Sequence, residues 1–239
     1  MAGTLALVGA GEFLETMSKV DRLLLDRCGG NKVMILPTAA APDGDGVPQK
    51  WIRLGVDHFN RLGAQAEGLL VLDRSHCDDD GFAAQVAEAD LIYFSGGKPD
   101  YLHAALIGTR VWAAVQSVLS RGGVVAGCSA GAMIMGGYVP SFATRLSIPL
   151  ITRWLPAFGL IPHAVVVPHY NEFPEIMINL MFGRRPASSY LIGVDAHTAL
   201  IGLDGQWQAA GAGRVTVRRG RNVKRYAAGQ AVQLSHTSE

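Results

Sequence analysis

The residues richest in chemistry lie in Val124-Val-Ala-Gly127-Cys128-Ser129-Ala130-Gly131-Ala132. An apolar run ends in Gly-x-Ser-x-Gly, and a small-residue helix follows at once. A strand that passes directly into a helix forces the central serine into a strained turn, so its neighbours must lack bulky side chains. The hydroxyl is left exposed at the helix N-terminus, where free backbone N–H groups and the helix dipole favour a developing oxyanion. This is the pattern of a nucleophile elbow, and it points to acyl transfer at Ser129. The alternative is a glycine-rich strand–helix turn with an idle serine. Cys128 competes as nucleophile, but Gly127 and Gly131 bracket Ser129 symmetrically. That puts Ser129 at the apex and leaves Cys128 as a buried, inert thiol.

A serine is a weak nucleophile and needs a base. Of the seven histidines, His169 is best placed, because it follows the apolar run Ala164-Val-Val-Val-Pro168. Strand C-termini are where α/β folds collect catalytic groups. His163 precedes the same run and is expected at the opposite edge. His58, His76 and His103 fall in helix or loop contexts, and His236 lies in the tail. The alternative for His169 is a structural histidine at a strand end. A second oxyanion donor is expected from Phe94-Ser95-Gly96-Gly97-Lys98-Pro99, a glycine turn that ends a strand near the elbow. The N–H groups of Gly97 and Ala130 would form the pair, unless this is an ordinary turn.

The elements that must hold these groups alternate between short apolar runs and helical patterns. Strands are expected at Thr4–Val8, Lys32–Leu36, Leu69–Leu72, Leu91–Phe94 and Val124–Gly127. Helices are expected at about Glu15–Arg27, Val47–Leu62, Phe82–Ala89 and Tyr101–Ser120. Continuous apolar runs, as opposed to alternating ones, mark a parallel sheet covered by helices on both faces. The rhythm predicts an α/β fold with a doubly wound, mostly parallel sheet. After Leu191 the pattern changes to two C-terminal hairpins. One is Leu200–Leu203 with Trp207–Ala210 around Asp204-Gly205. The other is Val215–Arg218 with Val223–Tyr226 around Gly220. The loop Thr38–Pro48 is expected to form a rim of the active site.

The 239 residues carry a hydrophobic fraction of 49%, a charged fraction of 17% and a formal net charge of +1. Disorder is excluded by this composition, and the lack of a basic excess argues against nucleic acid and membrane surfaces as partners. The local cluster Arg218, Arg219, Arg221, Lys224 and Arg225 reads as a solvated hairpin edge. Cys28, Cys77 and Cys128 form no disulfide framework or zinc motif. No metal cluster is visible, and acyl transfer needs no cofactor. Met1 leads into a strand with no basic leader, so a cytoplasmic location is expected. Residues 1–239 read as a single domain, without linker or repeat. Gly9-Ala10-Gly11 after the first strand fails as a dinucleotide fingerprint, since Leu14 stands where the third glycine belongs.

Taken together in this order, several motifs make the chain resemble the peptidase E and cyanophycinase family of serine peptidases, whose fold is similar to that of class I glutamine amidotransferases. They are Gly9-Ala-Gly-Glu-Phe13, Pro37-Thr-Ala-Ala-Ala41, Phe94-Ser-Gly-Gly97, Gly127-Cys-Ser-Ala-Gly-Ala132, Pro168-His-Tyr170, Ile192-Gly-Val-Asp195 and Thr198-Ala-Leu200. The resemblance implies Ser129 as nucleophile, His169 as base, and Gly97 with Ala130 as oxyanion hole. It implies a hydrolase of short peptides or related amides, working through an acyl-enzyme. The expected partner is a small peptide or amide substrate, and association into a homodimer is left open.

Two departures bear on this reading. Cyanophycinase-like members have a glutamate after the aspartate equivalent to Asp195, where this chain has Ala196. Peptidase E-like members draw an aspartate from the stretch soon after the elbow, and here no Asp or Glu occurs between Ser129 and Glu172. Asp195, His197 or a carboxylate from elsewhere could be the third member. Asp195 is taken as the candidate, although it and Ala196 should point to opposite faces of a strand. The missing acid also keeps open a non-catalytic, peptide- or small-molecule-binding domain. Cyanophycinases have arginines shortly after the catalytic histidine. Here that stretch is Asn171-Glu-Phe-Pro-Glu-Ile-Met-Ile178, which argues against the Asp-Arg polymer. Glu172 and Glu175 either bind a cationic group such as a peptide amino terminus or simply open a helix at its favourable acidic end.

Overall fold

The computed structural model describes residues 3–145, 148–203 and 205–234. Asp204 and His236, singled out in the sequence, lie outside the described residues. Strands β1 (Thr4–Val8), β2 (Lys32–Leu36), β3 (Gln65–Gly68), β4 (Leu91–Phe94) and β5 (Val124–Cys128) come first. They are followed by β6 (Tyr138–Arg145), β7 (Ile148–Pro156), β8 (Ala164–Val167) and β9 (Tyr190–Val194). The last are β10 (Thr198–Leu203), β11 (Gln206–Gly211), β12 (Arg214–Arg219), β13 (Asn222–Ala227) and β14 (Ala231–Val232). The α-helices are α1 (Ser18–Arg27), α2 (Val47–Arg61), α3 (Arg74–Cys77), α4 (Asp80–Ala87), α5 (Pro99–Leu106), α6 (Arg110–Ser120), α7 (Ala130–Met133) and α8 (Glu175–Phe182).

The strands form two sheets. The eight-stranded sheet has the order β14-β11-β10-β1-β5-β4-β2-β3, and the six-stranded sheet the order β13-β12-β9-β8-β6-β7. Pairing is parallel from β1 through β5, β4 and β2 to β3, and antiparallel from β1 to β10 and beyond. The fold is thus mixed α/β, with the expected parallel sheet at its centre. β1, β4 and β5 are buried along their whole length, which explains their uninterrupted apolar sequences. One apolar cluster joins the two sheets, with Leu5, Val125 and Leu200 from the first and Val166, Ile192 and Val215 from the second. Among the described residues no single helix is long and apolar enough to cross a membrane.

The structure corrects several boundaries. The third strand is Gln65–Gly68, not Leu69–Leu72. As the outermost strand it needs no continuous apolar face. The run after it instead drops into the core at Val71, whose carbonyl accepts a bond from Thr38 Oγ1 at 2.6 Å. The expected helix Tyr101–Ser120 is two helices, α5 and α6, bent by 93°. Gly108 takes φ +71 at the break, and Thr109 starts the new helix by accepting the Trp112 N–H at 3.4 Å. Both C-terminal hairpins are present, as β10–β11 and β12–β13. Arg221, Lys224 and Arg225 of the second are exposed, as expected of a solvated hairpin edge, while two of its arginines are engaged. Arg218 bonds Asn179 at 2.7 Å, and the Arg219 guanidinium lies 3.7 Å from the centre of the Tyr190 ring.

Candidate active site

Adjacent parallel strands bring three loops together. β1 pairs with β5 through Val8 and Cys128, and β4 pairs with β5 through Phe94 and Gly127, so all three end at one edge. Ser129 leaves that edge with φ 51 and ψ −108, a backbone rarely open to a non-glycine residue. Two bonds hold it there: its N–H donates to Val8 O at 3.0 Å, and its carbonyl accepts the Met133 N–H at 3.0 Å. The flanking glycines are demanded by contact. A Cβ on Gly127 would lie 2.4 Å from the Gly131 carbonyl carbon, and one on Gly131 would lie 2.8 Å from Phe94 Cβ. Glycine at both flanking positions is therefore what lets this strand and helix close on each other.

His169 arrives from the second sheet, at the end of β8. Its Nε2 lies 3.1 Å from Ser129 Oγ. The residue adopts a left-handed backbone, φ 51 and ψ 33, and this turns the chain back into a short 3-10 turn, Tyr170–Glu172. Glu172 N–H donates to His169 O at 2.9 Å, and Glu172 Oε2 stands 3.1 Å from His169 Nδ1. With Nδ1–H donating to that carboxylate, Nε2 is the lone-pair nitrogen and accepts the Ser129 O–H. Asn171 ties the turn down, because its Oδ1 accepts the Ala196 N–H at 2.7 Å.

Asp195, the candidate third member, is engaged elsewhere. Its Oδ2 accepts the Arg214 N–H at 2.9 Å, and burial raises its carboxyl above the ordinary range against the pull of that bond. The carboxylate on the histidine is Glu172, which sequence reasoning assigned to a substrate contact or a helix start. Glu172 faces His169, while Glu175 does open the helix at its acidic end, with its carboxylate 3.6 Å from Arg218. His197 bonds Thr16 Oγ1 at 2.9 Å. His163 lines a cavity of about 480 Å³ with Gly3 and Leu5, at the end of β1 remote from Ser129.

The glycine turn after β4 lies where a second donor is needed. Gly97 takes φ +146, and a Cβ there would come within 2.1 Å of Ala39 O. Lys98 N–H donates to that same carbonyl at 2.7 Å, so the turn is pinned to the segment Thr38–Asp43. Lys98 Nζ also reaches Asp43 at 3.5 Å, which places the expected rim loop beside the turn. The N–H groups of Gly97 and Ala130 have no acceptor among the described residues. Cys128 is fully buried, and burial, followed by the nearby Glu12 charge, pushes its thiol well above the ordinary range. It is held as a protonated thiol with no path to a substrate. Among the described residues no group of three or more His, Cys, Asp or Glu side chains is placed to hold a metal ion.

Comparison with known proteins bears on the fold and the family. Two similar solved structures are peptidase E-type or peptidase proteins. A peptidase from an acI-B1 Actinobacterium is 34% identical, with a TM-score of 0.87, covering 98% of this chain and 97% of that one. A putative peptidase E protein from Listeria monocytogenes EGD-e is 17% identical, with a TM-score of 0.64, covering 88% of this chain and 98% of that one, and shares the fold. No curated protein matches by sequence. The model of peptidase family S51 matches residues 5–209, and the chain therefore belongs to peptidase family S51.

Proposed function

We propose that this protein is a serine peptidase that cleaves short peptides or related amides through an acyl-enzyme on Ser129. The observation that carries the reading is the 3.1 Å separation of His169 Nε2 and Ser129 Oγ at a strained elbow. His169 removes the hydroxyl proton as Ser129 Oγ attacks the scissile carbonyl carbon. The oxyanion that forms is met by the N–H groups of Gly97 and Ala130. His169 then gives its proton to the leaving amine as the C–N bond breaks. Water attacks the resulting ester with His169 again as base, which releases the acid and restores Ser129. Glu172 orients the ring and stabilises the imidazolium during both steps.

The reading as a non-catalytic binding domain rests on a missing acid. Glu172 Oε2, 3.1 Å from His169 Nδ1, supports the catalytic reading by supplying a candidate acid. On the substrate, the segment after His169 offers no arginine before Arg184. Phe173, Ile176, Met177 and Leu180 are exposed there instead, which favours short peptides over the Asp-Arg polymer. A fluorophosphonate probe tests the mechanism. Wild type and Cys128→Ala should label, and Ser129→Ala should not. Labelling that survives Ser129→Ala and is lost in Cys128→Ala would overturn the assignment. Release of Asp-Arg dipeptide from the polymer at a rate comparable to short-peptide cleavage would overturn the substrate class.

A further inference from the structure

A buried carboxylate lies beneath this site and takes no part in the steps above. Glu12 follows the turn that ends β1 and is 9% exposed. Its Oε1 accepts the Gly96 N–H at 3.1 Å, and its Oε2 accepts the Cys128 S–H at 2.9 Å. Gly96 precedes Gly97, and Cys128 is separated from Ala130 by Ser129 alone. One carboxylate thus ties together the two loops that carry the oxyanion donors. It also lies close to the reacting atoms: a Cβ built on Gly96 would stand 3.0 Å from Glu12 Oε1 and 3.9 Å from Ser129 Oγ. Each carboxylate oxygen is thus used once, one on the glycine turn and one on the end of β5.

We infer that Glu12 is a positioning residue that fixes the spacing of the Gly97 and Ala130 N–H groups across the oxyanion hole. This rests on the reading of Ser129 as nucleophile. An oxyanion hole works because its donors are already in place when charge develops, and a displacement of about 1 Å in a catalytic group can cost about 100-fold. Without Glu12 the Gly96–Gly97 turn keeps its anchor to Ala39 but loses its tie to the elbow. The spacing of the two donors then rests on the β4–β5 pairing at Phe94 and Gly127 and on the separate anchors of each loop. Cys128 acquires a role as well: its buried thiol is the donor through which Glu12 reaches the strand that carries the elbow.

The test compares wild type, Ser129→Ala, Glu12→Gln, Glu12→Ala and Cys128→Ala. Each is measured by p-nitrophenyl acetate hydrolysis and by the rate of fluorophosphonate inactivation, normalised to folded protein. Glu12→Ala should lower kcat about 10- to 100-fold with KM changed less than about threefold, since only transition-state stabilisation is lost. Glu12→Gln keeps an oxygen for Gly96 N–H and should recover part of that loss. Cys128→Ala removes one arm and should fall between them. If Glu12→Ala does not fold, the Gln and Cys128→Ala variants decide. Wild-type rates in both of those variants would overturn the inference. A loss that appears in KM, or that follows the folded fraction alone, would do the same. Inactivation of wild type that does not depend on Ser129 would instead sink the parent reading.

Discussion

Glu172 Oε2 lies 3.1 Å from Nδ1 of His169, three residues earlier in the same turn. Histidine and carboxylate therefore come from one short segment, and no distant strand has to be placed for them to meet. The carboxylate side chain is 54% exposed, and the His169 side chain 32%. Water screens a pair of this kind, so its contribution is smaller than that of a buried acid.

Glu172→Gln should accordingly lower kcat/KM by about 10- to 1,000-fold, short of the roughly 10,000-fold loss seen for a buried triad aspartate. Asp195→Asn keeps an oxygen for the Arg214 N–H and should stay within about threefold of wild type. Peptide or ester hydrolysis by the two variants in parallel settles the matter. A severe loss in Asp195→Asn with little change in Glu172→Gln would return the role to Asp195.

The Ala196 position gives a second expectation. The cyanophycinase-like pattern that the sequence resembles has a glutamate there, but in this chain Nδ1 of His169 is already occupied, and Ala196 N–H holds Asn171. Ala196→Glu alone should not raise kcat/KM. Combined with Glu172→Gln, it should restore part of the lost rate, because the ring again has an acceptor. A gain in the single variant, or no rescue in the double, would show that the two positions are not interchangeable.

The contrast between Ser129 and Glu172 shows what the sequence can reveal. Ser129, His169 and Gly97 each follow an apolar run, so strand ends mark them. Glu172 is marked by nothing comparable. It reaches His169 because His169 adopts a left-handed backbone, and a histidine gives no sign of this in a sequence. The acid then reads as the start of a helix. β6 and β7 were hidden for a different reason: they contain Pro140, Pro149 and Pro156, residues that argue against strands. β3, an edge strand of sequence Gln-Ala-Glu-Gly, lacks the apolar signature that made its parallel neighbours legible.

Gly97 offers a steric test. Its φ of +146 and the 2.1 Å approach of a Cβ to Ala39 O leave no room for alanine. Gly97→Ala must push the turn off the Thr38–Asp43 segment, which moves the donor N–H. It should reduce turnover about 100-fold or more, comparable to removal of an oxyanion donor, and lower Tm by several degrees. Near-normal turnover on a peptide or activated ester would mean that Gly97 N–H is not a donor.

A buried pair in the helical layer, Asp21 with His58, makes stability depend on pH. Asp21 Oδ2 lies 2.8 Å from His58 Nε2, with both side chains almost fully buried. The other Asp21 oxygen has no partner among the described residues, and neither does the nearby Tyr93 hydroxyl. Burial raises the Asp21 carboxyl above its ordinary 3.8, and the bond and charge of His58 oppose that shift. In the window between the ordinary value and the raised one, the folded protein binds more protons than the unfolded chain. The Asp21 contribution to stability then falls as pH rises through that window. Asp21→Asn removes the titration but keeps an oxygen for His58. Its stability relative to wild type should therefore improve as pH is raised from about 4 towards 7. Asp21→Ala leaves His58 without a partner and should be less stable than Asp21→Asn by about 1–3 kcal/mol. Urea unfolding of the three proteins at several pH values measures both effects. A gap between Asp21→Asn and wild type that stays constant with pH, or narrows as pH rises, would contradict a raised carboxyl.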